Sequence, residues 1–385
     1  MPRLLLLFAL CNFVIGTGAF GLTGILSEVA AALNSSVGAV GQTMTAYAFA
    51  TALLAPLLMV ATGRWSRRGA MLLALGLFAT GTLVSALAVN LGMLLVGRVL
   101  MGAGALFTPV AAGVAVALVV PEKRGKALSL TFLGMSLSYV FGLPFGAWLG
   151  IGFGWRWPML IVTVLAVGVF VLVARLVPRN IQAPGASFQG LGALLRQREV
   201  VLTLLLTLCY FTSIFVVFSY IGPVQLALNP LSPNELTFTL MLFGVAGVLG
   251  TISGGWASDR FGPQRTLVLQ LSVLGTMMLL VPLTQGIYWF TVAVFMVWGV
   301  CGFGMMTPQQ ARLAQFDPPR APLLLSINTS MLYFGTALGA AIGGAGSPWL
   351  GFAKLSWLGM VFAAVGLLLL LVQRPSLPPV RRPMP

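Results

Sequence analysis

The sequence predicts an all-α membrane protein of twelve transmembrane helices, arranged as two pseudo-symmetric halves of six. Three observations predict it. Hydrophobic residues make up 59% of the 385-residue chain and charged residues only 7%, against roughly 25% charged in a soluble domain. A water-exposed surface cannot be assembled from that composition, which excludes a soluble enzyme. A hydrocarbon core of ~30 Å takes about 20 apolar residues per helix, and the chain divides into twelve such runs. The first six runs and the last six carry matching motifs.

In order, the runs cover 4–26, 37–62, 70–89, 91–119, 127–150, 156–177, 200–224, 236–258, 266–284, 286–309, 322–346 and 351–373. The first imitates a secretory leader, with Arg3 before Leu4–Leu10. Its apolar stretch nevertheless continues past Leu22 with no small-residue cleavage site, so it is span 1. The longest break, 178–199, is basic and bears Pro, Gly and Gln; it ends in an amphipathic stretch from Phe188 to Glu199. It divides the chain into a six-helix bundle 1–177, a cytoplasmic central loop 178–199, a second bundle 200–373 and a cytoplasmic tail 374–385.

The formal charge is +15, from 21 Lys and Arg against six acids. In a soluble chain this balance would suggest nucleic acid; here position assigns it otherwise. With the N-terminus inside, the inner segments hold Arg3, Arg64, Arg67, Arg68, Lys123, Arg124, Lys126, Arg175, Arg179, Arg196 and Arg198. They also hold Arg260, Arg265, Arg312, Arg320, Arg374, Arg381 and Arg382, which makes 18 of the 21. Arg156 and Lys354 fall outside, and Arg98 within span 4. The bias places both termini in the cytoplasm and gives the charge to membrane orientation, with no nucleic-acid partner.

The repeat is specific. Thr108-Pro109 in span 4 recurs as Thr307-Pro308 in span 10, an offset of 199. The loops beginning at Gly63 and at Asp259 are 196 apart, and the glycine-rich stretch of span 5 corresponds to that of span 11. Two six-helix repeats about an axis normal to the membrane, with a site between them near mid-depth, describe a secondary transporter.

The loop after span 8 reads Gly255-Trp-Ala-Ser-Asp259-Arg260-Phe-Gly262, followed by Arg265. The loop after span 2 keeps Arg64, Arg67 and Arg68 but has Gly63 at the acidic position. Span 4 carries Arg98-Val-Leu-Met-Gly102, the next inner loop Pro121-x-x-Arg124-Gly125-x-Ala127, and span 5 Gly142-Leu-Pro144-Phe-Gly146. Gly154-Trp155-Arg156 follows, and span 11 gives Gly335-x-x-x-Gly339-x-x-x-Gly343. In order and spacing these motifs resemble the major facilitator superfamily, specifically its bacterial twelve-helix drug/proton antiporters and sugar-efflux-like permeases. The resemblance covers essentially the whole chain. It implies an inner-membrane transporter of small organic solutes (sugars, nucleosides or amphipathic drugs) working by alternating access. It also implies gating roles for the two Gly/Arg loops and places a span-4 arginine beside the pathway.

Candidate path residues come from depth. Arg98, in the outer third of span 4, is the one charge within a span; it either faces the path or snorkels to the outer surface. Eight of the nine Trp lie near span ends, where Trp collects, but Trp298 sits mid-span. So do Tyr47, Tyr139, Tyr210 and Tyr333. A phenolic hydroxyl facing lipid would be unsatisfied, so these face other helices or a shared amphipathic cavity. Asn12, Thr17, Asn328 and Gln310 add hydrogen-bonding groups. The glycines of spans 5 and 11, with Pro144, serve either close packing or a moving hinge.

Several chemistries are excluded. There is no His, and Cys11, Cys209 and Cys301 are scattered, so no metal site, disulfide framework or cofactor is expected. No phosphate-binding loop appears, which removes ATP-driven transport. All six acids lie at span ends or in loops, leaving no buried acid/base pair for an enzyme. The related antiporters often carry an acid in span 1; this chain has Gly18 and Ala19 there. Weak or absent proton coupling is therefore expected, unless Glu28 or Asp259 carries the proton through a conformational change. Gly63, lacking the loop acid, predicts a bias toward a cytoplasm-open state. The expected partners are a small-molecule solute and the lipid bilayer, and the expected oligomeric state is a monomer. The rival functions are an uncoupled facilitator and a non-transporting sensor or scaffold; a soluble output domain, which the latter would need, is not evident.

Overall fold

The computed structural model describes residues 2–120, 123–179, 181, 191–316 and 320–373. Much of the central loop, the Pro121-Glu122 pair, Asp317 and the 374–385 tail lie outside the described residues. Among the described residues twelve helices are long and apolar enough to cross a membrane: α1 (Arg3–Phe20), α2 (Val37–Ala61), α3 (Arg67–Ala86), α4 (Leu91–Ala117), α5 (Arg124–Phe153) and α6 (Arg156–Leu176) form the first half. The second half is α7 (Arg198–Phe218), α8 (Pro233–Phe261), α9 (Pro263–Thr284), α10 (Tyr288–Phe316), α11 (Leu323–Leu350) and α12 (Phe352–Val372). The end bearing the arginine-rich loops is called the basic end, and the opposite one the far end.

Within the first half α1 packs on α5 and α6, α2 on α4, and α3 on α4 and α6; within the second α7 packs on α11 and α12, α8 on α10, and α9 on α10 and α12. The halves meet through α2 with α11 and α5 with α8. Exchanging the halves turns one of these pairs into the other, as a two-fold repeat requires.

Helices in lipid gain no hydrophobic energy from meeting, so association depends on close approach at small residues. Small residues recur every four positions along one stripe of α5: Gly134, Ser138, Gly142, Gly146 and Gly150. A Cβ at Gly134 would strike the Ala9 carbonyl, one at Gly142 the Thr17 side chain and one at Gly146 the backbone of Gly21 at 3.1 Å. In α11, Gly335, Gly339 and Gly343 bear in the same way on the carbonyls of Leu208, Thr212 and Val216 in α7. Both stripes end in a glycine at positive φ, Gly154 (+106°) and Gly351 (+71°), which turns the chain into the next span.

Proline interrupts three spans, two of them at equivalent levels. α4 breaks after Gly104 and resumes at Phe107, because Pro109 has no N–H for the Ala105 carbonyl, which instead accepts from Thr108 N at 3.2 Å. α10 breaks after Phe303 and resumes at Met306, with Pro308 in the matching place. α5 widens into a π-helical turn over Ser138–Gly142, where Leu143 N reaches the Ser138 carbonyl just before Pro144.

The structure departs from the expected boundaries at both ends. α1 and α7 stop at Phe20 and Phe218, and the short helices Leu26–Ala32 and Ile221–Leu228 follow and touch each other. The chain breaks there because the two backbones cross in contact: Gly222 N donates to the Thr23 carbonyl at 3.3 Å, and a Cβ on Gly222 would strike Gly24. Irregular backbone at this depth is tolerated only inside protein. At the basic end α5, α8 and α10 run longer than the apolar pattern. Arg312, expected in a loop, is consequently buried in α10 and donates through Nη2 to Gln373 Oε1.

Gly134→Ala should therefore lower thermal stability by about 1–3 kcal/mol, the usual effect of overpacking. Gly152→Ala, on the same helix with nothing within 4 Å of its Cβ, should leave it unchanged or slightly raised. Unfolding midpoints of the two variants in detergent check this.

Candidate transport site between the halves

The halves close on each other from mid-depth outward. At the far end the Tyr220 hydroxyl, carried just beyond α7, donates to the Ala340 carbonyl of α11 at 2.9 Å and lies 3.4 Å from the Gly38 carbonyl of α2. Gln42 Nε2 approaches the same hydroxyl at 3.5 Å. This ring fits because Gly41 offers no side chain; a Cβ there would lie inside the Tyr220 ring. Below this latch, a Cβ on Gly244 of α8 would strike the Tyr139 carbonyl of α5, so those helices also touch backbone to backbone.

At mid-depth an aromatic cluster crosses the interface. Tyr139 stacks on Phe20 (centroids 4.8 Å apart, planes at 28°) and meets Phe303 at 5.0 Å and Phe218 at 6.0 Å. Phe49 of α2 meets Phe334 of α11 edge-on at 5.9 Å. The π-helical turn of α5 sets the direction of Tyr139, since its extra residue per turn rotates the side chain relative to the glycine stripe.

Four of the sequence-predicted site residues come together here. Tyr47 has Tyr333, Tyr139 and Arg98 as its electrostatic neighbours, and Tyr139 has Tyr333. They arrive from α2, α4, α5 and α11, so both halves contribute. Tyr139 and Tyr333 are half-buried, while Tyr47 and Arg98 are buried behind them. Arg98 does not snorkel: it is 1% exposed and its Nη1 donates to the carbonyls of Gly18 at 3.0 Å and Ala19 at 3.1 Å. A cation at the C-terminal carbonyls of α1 is electrostatically favoured.

The other four lie inside single halves. Asn12 donates to the Thr131 carbonyl at 2.9 Å and accepts from Thr108 at 2.7 Å, tying α1, α5 and α4. Asn328 accepts from Thr207 at 2.6 Å, and Gln309 donates to Thr207 at 2.8 Å, tying α11, α7 and α10 in the equivalent way. The Tyr210 hydroxyl donates to the Cys301 carbonyl at 2.6 Å. Trp298 is buried behind Phe243, ring to ring at 4.8 Å, and against Phe295 at 5.0 Å. Thr17 faces Gly142, and Gln310 is half-buried in α10.

Among the loop residues, Gly63 closes a turn onto Val60 and Arg64 is exposed, whereas Arg67 is buried and Arg68 donates to the Ala174 carbonyl of α6. Gly255 packs on Thr307, Asp259 is exposed, Arg260 lies over Trp256 at 5.6 Å, and Gly262 (φ +86°) breaks α8 from α9. Sequence reasoning missed the Tyr220 latch, the Phe20–Phe218–Phe303 surface and the buried Arg312. The pairing of Gly41 with a far-end tyrosine carried no signal of its own, since Tyr is expected at span ends anyway.

Asn12→Ala and Asn328→Ala should each lower thermal stability by about 1 kcal/mol, the usual worth of a hydrogen bond between helices in lipid. Apparent solute affinity should change less than two-fold. Unfolding midpoints together with flux kinetics in proteoliposomes separate the two effects.

A sequence profile of the Major Facilitator Superfamily matches residues 8–321 and 231–385. The chain is 30% identical over 368 residues to the inner membrane transport protein YdhP of Escherichia coli (strain K12), covering 95% of this chain and 94% of that one. It is 27% identical over 364 residues to a Mannheimia succiniciproducens protein named "Probable sugar efflux transporter", covering 94% and 91%. Among solved structures, a bacterial homolog of the human lysosomal transporter Spinster superposes with a TM-score of 0.83 at 16% identity, covering 96% of each chain. The D-xylose-proton symporter does so with a TM-score of 0.80 at 15% identity, covering 97% of each. The fold shared with those structures and the profile match along the chain lead to one conclusion: this protein belongs to the Major Facilitator Superfamily and is an integral membrane transporter.

Proposed function

We propose that the protein exports small organic solutes across the bacterial inner membrane by alternating access, as a monomer, with its basic end in the cytoplasm. The observation that carries this reading is the mid-depth group Tyr47, Arg98, Tyr139 and Tyr333, drawn from both halves and shut off from the far end by Tyr220 and its glycines. A solute there touches both moving bodies, and its exit requires the far end to open. Half-buried rings with hydroxyl tips suit the flat, partly polar faces of sugars, nucleosides and aromatic compounds. The relatives named as an inner membrane transport protein and a sugar efflux transporter support the membrane and the direction. The missing acid at Gly63 fits a resting state closed at the far end, because the basic-end latch lacks one charge.

The far-end latch gives a first test. Gly41→Leu drives a side chain into the Tyr220 ring and should reduce the far-end-closed population several-fold. Nitroxide labels at Ala32 and Asn234, in a background with the native cysteines replaced, should then report longer distances. An unchanged distance distribution would remove Tyr220 from the gate.

Energy coupling gives a second. Among the described residues the acids Glu28, Glu199, Glu235 and Asp259 stand at helix ends or between spans, away from the mid-depth group. Burial in the short helix Leu26–Ala32 raises the Glu28 carboxyl above its ordinary range, yet its perturbation comes from desolvation and its own backbone, with no partner in the path. A pH gradient across liposomes containing purified protein should therefore equilibrate labelled solutes without concentrating them. Accumulation that a protonophore abolishes would show that a coupled route exists.

A further inference from the structure

Arg98 uses only part of its hydrogen-bonding capacity. Nη1 is spent on the Gly18 and Ala19 carbonyls, while Nε and Nη2 have no partner. These two nitrogens form the side edge of the guanidinium, whose parallel N–H groups match the two oxygens of a carboxylate. The side chain is 1% exposed, so bulk water does not complete it. Its bonded acceptors are neutral carbonyls and its electrostatic neighbour is a tyrosine, Tyr47; among the described residues no carboxylate offsets the charge.

The second half supplies a matching group. Ser219, just beyond α7, is fully buried and its hydroxyl also lacks a partner. Arg98 and Ser219 line one crevice between the halves, with Thr23, Thr43 and Met44. In this state the crevice is too narrow to admit water. The Thr23–Gly222 backbone bond and the Tyr220 latch are among the contacts that hold the far end shut beside it. Leaving a buried guanidinium edge and a hydroxyl unsatisfied is unfavourable unless another state of the molecule satisfies them.

We propose that the Nε–Nη2 edge of Arg98, with the Ser219 hydroxyl as a third donor, receives the carboxylate of an organic cargo when the far end opens. This rests on the export reading and adds the substrate class: organic monocarboxylates with a flat body. The body would lie against the Phe20–Tyr139 stack, since Phe20 directly follows the carbonyl that holds Nη1. A neutral solute offers the edge only uncharged acceptors, whereas a carboxylate fills it with two charge-assisted bonds as the crevice widens, so its binding energy favours opening. An inorganic anion would use the guanidinium but gain nothing from the rings.

The test uses full-length protein in liposomes and three matched pairs of labelled probes: galacturonate with galactose, gluconate with glucose, and N-acetylphenylalanine with its amide. Chloride and inorganic phosphate at equal ionic strength form the inorganic arm. At least one acid should cross ten-fold faster or more than its neutral partner. R98Q and R98K should each reduce that flux at least ten-fold, because lysine keeps the charge and loses the fork. S219A, which removes one hydroxyl from the opposite half, should reduce it about three-fold, and it guards against R98Q acting through misfolding, as do unfolding midpoints of every variant. Acids crossing no faster than their partners, or equally fast in wild type, R98K and S219A, overturn the proposal. Neutral solutes crossing without the acids overturn it while the export reading stands, and no probe crossing through folded wild-type protein removes both. Arg98-dependent flux confined to chloride or phosphate assigns the site to an inorganic ion and overturns the carboxylate.

Discussion

Contact between backbones, made possible where a side chain is only hydrogen, is the constraint on which the rest of this structure depends. Between helices in lipid there is no hydrophobic gain to be had, and the apolar excess of the sequence cannot choose one helix pairing over another. The small-residue stripe of α5 fixes its distance and register on α1, and the stripe of α11 does the same on α7. Those two pairings set where the opposite faces of α5 and α11 point. On α5 Tyr139 reaches the interface from the flank of the stripe, and on α11 Tyr333 reaches it from the far side. In this state these glycines pack closely within each half. The contacts that must part during transport are a different set, Gly41 with Tyr220, Gly38 with Gly344, Gly24 with Gly222 and Gly244 with Tyr139. Firm bodies with a lightly bonded seam are what a rocking mechanism requires.

The proline breaks follow the same logic. Pro109 and Pro308 interrupt α4 and α10 at matching depths, and each frees backbone groups where neighbouring helices can tolerate them. Pro144 widens α5 into a π-helical turn and so offsets Tyr139 from the stripe behind it. A packed helix can thereby present a binding group at an angle that regular geometry would not supply.

Depth was legible in the sequence, and facing was not. The twelve spans, the basic asymmetry and the 199-residue repeat all survive translation into structure, because they depend on length, charge and order along the chain. Counting residues from a span end put Tyr47, Tyr139 and Tyr333 near mid-depth and Arg98 in the outer third of its span. The same count put Tyr210 and Trp298 near mid-depth, yet these turn into the interior of one half, as do the polar candidates Asn12 and Asn328. In a soluble helix the apolar stripe tells which way a residue points. Here lipid, protein and interface are all apolar, so the stripe is missing. Arg312 shows the complementary failure: charge alone assigned it to a loop, whereas Gln373 gives it a partner inside the bundle.

Trp298 and Arg98 lie at neighbouring levels of α10 and α4, the two spans that the 199-residue repeat relates. Both are 1% exposed, and both keep buried N–H groups without a partner. The first half thus buries a guanidinium in this span and the second half an indole. The indole is enclosed by Phe243 and Phe295 and stabilises its own bundle. The guanidinium is held by the carbonyls at the end of α1, where related antiporters often place an acid, and it keeps its carboxylate-shaped edge unfilled. Gly18 and Ala19 bring backbone carbonyls and no carboxylate to Arg98, so α1 does not neutralise its charge. Carbonyls satisfy one nitrogen and leave two, and those two are the edge assigned above to a cargo carboxylate.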